Sequence, residues 1–171
     1  MESRRPLVDD AFYRSDLCDG DVREVLETCQ VIAEQGPEGL GAYVISMAKA
    51  PSDVLAVMLL QKIAGVRRPM RVVPLFETLD DLDNAGDTMA ALLDVPLYKE
   101  RVASSQKDGG QEVMIGYSDS AKDAGFLGAA WAQFRAQEKL TKLFQQHGVP
   151  LTLFHGRGGS ISRGGSPTRM A

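Results

Sequence analysis

Residues 112–158 read EVMIGYSDSAKDAGFLGAAWAQFRAQEKLTKLFQQHGVPLTLFHGRG, and this stretch decides the fold. It opens on a short apolar run, Glu112–Tyr117, with the polar loop SSQKDGGQ before it and Ser118-Asp119-Ser120 after it, as a buried strand is bounded. From Ala124 to Gln146 the apolar positions Phe126, Leu127, Ala130, Trp131, Phe134, Leu140, Leu143 and Phe144 recur at helical spacing. Gly148 and Pro150 stop that helix, and Leu151–Phe154 is a second strand. Two strands joined through a helix need a crossover connection, which pairs them in parallel. Both runs are apolar on successive residues, as in a sheet that helices cover on both faces.

The same alternation extends upstream. Met70–Phe76, MRVVPLF, reads as a strand, and Pro74, which has no amide to give to a ladder, is expected near its end. Leu79, Leu82, Ala85, Met89 and Leu92 mark the following helix, and Val95–Ala103 reads as a shorter one. Leu40–Met47 is a further strand, and a helix opened by Pro51 or Ser52 runs through Ile63 until Gly65 closes it. Val22, Val25, Leu26, Cys29, Ile32 and Ala33 predict a first helix from Asp21, ended by Gly36-Pro37. Residues 1–20 show no period and are expected as a poorly structured, solvated lead-in. The fold class is α/β, with about four parallel strands and intervening helices over residues 21–171. No covering helix follows the fourth strand. The chain therefore reads as part of a larger one (a fragment, a split subunit or a truncated gene product), against the alternative of a complete small open sheet with a disordered tail.

Composition narrows the function classes. Of 171 residues, 19 are Lys or Arg and 23 are Asp or Glu, a formal net charge of -4. Such a balance gives no whole-surface reason to expect nucleic acid or an anionic membrane. The longest apolar stretches, such as Val54–Leu60, are too short to span a bilayer, and the N-terminus has no signal-like apolar core. The two cysteines, Cys18 and Cys29, lack the companions of a zinc site and read as reduced thiols of a cytoplasmic protein.

The polar residues gather after strand ends. Glu77, Asp80 and Asp81 follow the second strand; Asp119, Lys122 and Asp123 follow the third; His155, Arg157 and Arg163 follow the fourth. In parallel α/β folds ligands lie at the carboxyl ends of the strands. Glu77 and Asp119 are hard oxygen donors that suit Mg²⁺ or Mn²⁺ when waters and a substrate oxygen complete the octahedron. Capping of the helices that start there explains the same two residues equally well, and is the preferred account of Asp80, Asp81 and Asp123. The closing loop GRGGSISRGG sets arginines between glycines: the glycines let the backbone approach an anion, and the arginines grip phosphate or carboxylate with two hydrogen bonds. A loose nucleic-acid-binding tail is the competing reading, but it lacks interleaved aromatics. His155 is an acid–base or phosphate-binding candidate, with an oriented supporting histidine as the alternative. Lys122 either pairs with Asp119 or helps hold a small anion, and Tyr117 and Trp131 are expected in the core.

Three blocks, RVVPLFETLDDL at 71–82, VMIGYSDSAKDAG at 113–125 and LTLFHGRGGSISRGG at 151–165, together with YVISMAKAPSDVLAVMLLQK at 43–62, resemble phosphoenolpyruvate carboxylase. The resemblance implies part of a helix-rich (β/α)₈ TIM-type barrel in a usually homotetrameric, cytoplasmic lyase. Such an enzyme turns phosphoenolpyruvate and bicarbonate into oxaloacetate and phosphate with Mg²⁺ or Mn²⁺. It implies Glu77 and Asp119 as metal carboxylates, Lys122 as the lysine near bicarbonate, His155 and Arg157 as phosphoenolpyruvate-binding groups, and Arg163 as a glycine-loop arginine tied to catalysis and to aspartate or malate as effector. The remainder of the enzyme chain is then a required partner, and the isolated chain is expected to be inactive. Ser162 stands where the family's second repeat carries glycine, Arg169 stands near a usual histidine, and the loop before the third strand is longer than in many relatives. The other readings are a non-catalytic remnant or interaction module of that fold, and another phosphoenolpyruvate- or pyruvate-handling barrel enzyme.

Overall fold

A computed structural model describes residues 8–35, 38–104, 110–116 and 118–155. The elements in chain order are α1 (Asp10–Tyr13), α2 (Gly20–Gln35), β1 (Ala42–Ile45), α3 (Pro51–Ile63), β2 (Arg71–Phe76), α4 (Leu79–Leu93), α5 (Pro96–Ser104), β3 (Gln111–Ile115), α6 (Ser118–His147) and β4 (Leu151–His155). The strands form one four-stranded sheet in the order β1-β2-β3-β4, and β2–β3 and β3–β4 pair in parallel. This is the α/β architecture that the alternation of periods predicts, and it is consistent with a segment of a (β/α) barrel. The chain divides into two compact units, one of Met1–Tyr43 with Ser52–Val72, the other of Val44–Pro51 with Val73–Ala171.

In the first unit, α1 lies within the stretch expected as a lead-in, and the Asp9 carboxylate caps it by accepting from the Phe12 amide at 2.9 Å. Gln30 Nε2 donates to the Tyr13 hydroxyl at 2.8 Å, tying α2 to α1. Of the apolar face predicted for α2, Leu26 and Cys29 are buried while Val22 and Val25 remain exposed. Both cysteines are free and buried.

The second unit carries most of the core. Val73, Phe76, Val113 and Ile115 of the sheet are buried, as are Leu82, Ala85, Met89 and Leu92 of α4, and α4 lies against α6. Pro74 lies near the end of its strand as expected, two residues before Phe76, and is fully buried. The strand tolerates it because the ladder with β3 runs over Leu75 and Phe76, just past the missing amide. One expectation is corrected in α6. Leu127, Trp131 and Phe134 are 82%, 61% and 57% exposed, so Trp131 is not a core residue. The buried stripe is Ala129, Ala132, Ala136, Leu140 and Phe144, also at helical spacing. Small side chains let helices approach closely, so the alanines face inward and the aromatics outward. Tyr117, also expected in the core, and the side chain of Phe126 lie outside the described residues.

Helix α6 also begins earlier than the sequence predicts. It starts at Ser118 and breaks its helical geometry at Gly125, whose φ of 71° and ψ of 168° only glycine adopts readily. The Ser118–Ala124 turn is thereby set off from the long helix that follows.

Candidate active site at the carboxyl edge of the sheet

The register of the sheet fixes which strand ends are neighbours. Phe76 pairs with Ile115, and Ile115 pairs with His155, so the three stand level on β2, β3 and β4. One residue further, the Gly116 amide donates to the Phe76 carbonyl at 2.7 Å and continues the ladder beside Glu77. With neighbouring strands about 4.8 Å apart, the backbones at Glu77 and His155 are separated by about 10 Å. That span suits a small phosphorylated acid together with a metal ion.

Glu77 sits half-buried in the turn between β2 and α4. The helix cap there belongs to its neighbours. Thr78 is the N-cap, its hydroxyl accepts from the Asp81 amide at 3.1 Å, and the Asp81 carboxylate accepts from the amides of Thr78 at 3.1 Å and Glu77 at 3.3 Å. Asp81 is thus the capping acid expected of it, and the N-cap role that competes with metal binding for Glu77 is held by Thr78. Asp119 and Lys122 lie in the opening turns of α6, between Ser118 and the break at Gly125. The structure places their backbone; the side chains of residues 118–124, Asp123 included, lie outside the described residues. His155 closes β4 and is exposed. Arg157 and Arg163 lie outside the described residues.

The structure adds a strand end that the sequence reading leaves out. After β1, Lys49 lines a cavity of about 390 Å³ with Thr78, Asp80, Asp81, Asn84 and Thr88. The Thr88 hydroxyl donates to the Lys49 carbonyl at 3.3 Å, and Asn84 Nδ2 to the Asp80 carbonyl at 2.8 Å. The signal is present in the YVISMAKAPSD block, where a lysine follows a strand just as the acids do.

The largest shift in proton affinity among the described residues lies at the other edge. Burial pushes the Tyr98 phenol far up, and the Arg101 guanidinium only partly opposes this. The Tyr98 hydroxyl donates to Gln111 Oε1 at the amino end of β3, so this group serves packing rather than chemistry at Glu77. Among the described residues no three His, Cys, Asp or Glu side chains gather as a metal site. The donor chemistry of Glu77 and Asp119, two carboxylates that follow adjoining strands, still fits a hard divalent ion.

The whole chain, residues 1–171, matches the family model of phosphoenolpyruvate carboxylase. The chain belongs to the phosphoenolpyruvate carboxylase family. It is 76% identical over its full length to the phosphoenolpyruvate carboxylase of Alcanivorax borkumensis, covering 19% of that protein. It is 60% identical over its full length to that of Pseudomonas aeruginosa, covering 18%, and 58% identical to that of Acinetobacter baumannii, covering 19%. The chain thus spans about a fifth of the length of the curated relatives it matches. The family match includes the first twenty residues, beyond the blocks that carry the resemblance. No helix among the described residues is long and apolar enough to cross a membrane.

Proposed function

We propose that this chain supplies one wall of the active site of a phosphoenolpyruvate carboxylase, converting phosphoenolpyruvate and bicarbonate to oxaloacetate and phosphate. The observation that supports this most is the placement of Glu77, the opening turn of α6 and His155 after three neighbouring parallel strands, in a chain that matches the family throughout. In this reaction the enol P–O bond breaks as the phosphoryl group passes to a bicarbonate oxygen, the C–O bond of the resulting carboxyphosphate breaks to release phosphate and carbon dioxide, and the enolate carbon forms the new C–C bond to that carbon dioxide.

Both substrates are anions, so the site must offset negative charge before they meet. Arg157 is assigned to the phosphate side of phosphoenolpyruvate, and Arg163 to catalysis and to a carboxylate effector such as aspartate or malate. Lys122 is assigned to bicarbonate and His155 to orientation of phosphoenolpyruvate. Glu77 and Asp119 would hold Mg²⁺ or Mn²⁺, which when bound supplies Lewis-acid stabilisation of negative charge on a substrate oxygen. The glycines beside Arg157 and Arg163 in the sequence would let the backbone approach the anion closely. Family membership supports a homotetramer that also contains the rest of the enzyme chain.

The test places these 171 residues in the Alcanivorax borkumensis relative in exchange for its matching stretch. Oxaloacetate formation is then followed with phosphoenolpyruvate, bicarbonate and Mn²⁺. The chimera is expected to turn over, and Glu77→Gln to cut kcat/KM by about 100-fold or more through lost electrostatic stabilisation. A folded chimera without turnover would favour the non-catalytic reading, and full activity in Glu77→Gln would remove the metal assignment.

A further inference from the structure

We propose that Gly116 and Gln133 are positioning residues for Glu77, an inference that rests on the reading of Glu77 as a metal carboxylate. The φ of Gly116 is not in the left-handed region, so backbone conformation does not demand glycine there. Space does. A Cβ at Gly116 would stand 2.6 Å from Glu77 Cα, 3.0 Å from the Phe76 carbonyl oxygen and 3.1 Å from the Glu77 carbonyl oxygen. All three are backbone atoms, which cannot rotate aside. At Gly86, by contrast, the nearest atoms an added Cβ would meet belong to the flexible side chain of Lys139. Any larger residue at 116 must therefore move the end of β2, and with it the Cα from which the Glu77 carboxylate projects.

Gly116 is held in this close approach from both sides. Its amide donates to the Phe76 carbonyl at 2.7 Å. Its carbonyl accepts from Gln133 Nε2 at 2.9 Å, across 17 residues of chain. Gln133 lies between Ala132 and Ala136 of the buried α6 stripe, so the donor is carried by a helix anchored in the core. The core of α6 thereby fixes the strand end beside Glu77. Groups of this kind, one step removed from a metal ligand, tune affinity by holding the ligand in place.

The chimera described above tests the inference with four variants: Gly116→Ala, Gln133→Leu, Glu77→Gln and, as a comparator, Tyr98→Phe. Mn²⁺ affinity is measured by electron paramagnetic resonance without substrate, beside the thermal midpoint and the Mn²⁺ dependence of turnover. Gly116→Ala is expected to weaken Mn²⁺ binding about tenfold and Gln133→Leu about threefold or more, with kcat largely recovered at saturating Mn²⁺. Tyr98→Phe is expected to lower the thermal midpoint while leaving Mn²⁺ affinity unchanged, which separates positioning from loss of stability. If Gly116→Ala does not fold, Gln133→Leu decides. Unchanged Mn²⁺ affinity in the pair variants, with Glu77→Gln weakened, overturns this inference alone. Unchanged affinity in Glu77→Gln overturns the metal reading and this inference with it.

Discussion

Thr78 and Asp81 cap α4 reciprocally: each side chain accepts the other's backbone amide, both at 3.1 Å. Asp81 is buried and also accepts from the Glu77 amide, so it holds the turn that joins β2 to α4. Asp81→Ala is expected to lower stability by about 1–2 kcal/mol, the usual size of a lost cap. Asp80→Ala, at an exposed neighbour, should stay within about 0.5 kcal/mol. Urea unfolding of the parent and the two variants measures both; equal stability would mean that the cap contributes little.

Much of this architecture is legible in the sequence because periodicity and punctuation agree. The helix expected through Leu79, Leu82, Ala85, Met89 and Leu92 is observed over Leu79–Leu93, and Gly65 follows α3 with a positive φ of 75°. The inward face of α6 is not legible, because two stripes share the helical period and the aromatic one is the more hydrophobic. That Glu77 and His155 follow neighbouring strands is legible because parallel topology puts strand carboxyl ends at one edge. Gly116 and Gln133 are not, since a close backbone approach and a hydrogen bond across 17 residues are tertiary facts with no local signal.

The single tryptophan of the chain reports the exposed face of α6. Trp131 stacks on Phe134 with ring centroids 5.7 Å apart, and both are exposed. The isolated chain is expected to show the long-wavelength emission of a hydrated indole and ready quenching by acrylamide. Emission that shifts to the blue as protein concentration rises would show instead that copies of the chain cover this face.

Burial pushes the Cys29 thiol up. Below the ordinary thiol range the group is protonated in both folded and unfolded chains, and its contribution to stability is complete. As pH rises past about 8.5, the ordinary thiol value, the unfolded chain releases its proton first, so stability falls until the folded thiol also ionises. The thermal midpoint is therefore expected to decline as pH rises above about 8.5. Cys29→Val should flatten the decline; an identical pH profile in that variant would assign the loss to other groups.

The isolated chain is expected to show no carboxylase turnover. Catalysis on a small dianion needs its charged groups held to about half an ångström. This chain spans 19% of the Alcanivorax borkumensis relative and, on the proposed reading, supplies one wall of the site. Its β4 is an edge of the described sheet, with Phe154 and His155 exposed, and an open edge lets water reach the substrate. An enolate formed there would take a proton from water before it met carbon dioxide. Weak Mn²⁺ binding through Glu77 and Asp119 should survive, because two carboxylates need less support than a whole site. The measurement supplies the purified chain with phosphoenolpyruvate, bicarbonate and Mn²⁺ and follows oxaloacetate, with Arg157→Ala as background. Metal-dependent turnover that Arg157→Ala abolishes would overturn the expectation, because it would mean that association of the chain with itself rebuilds the missing walls.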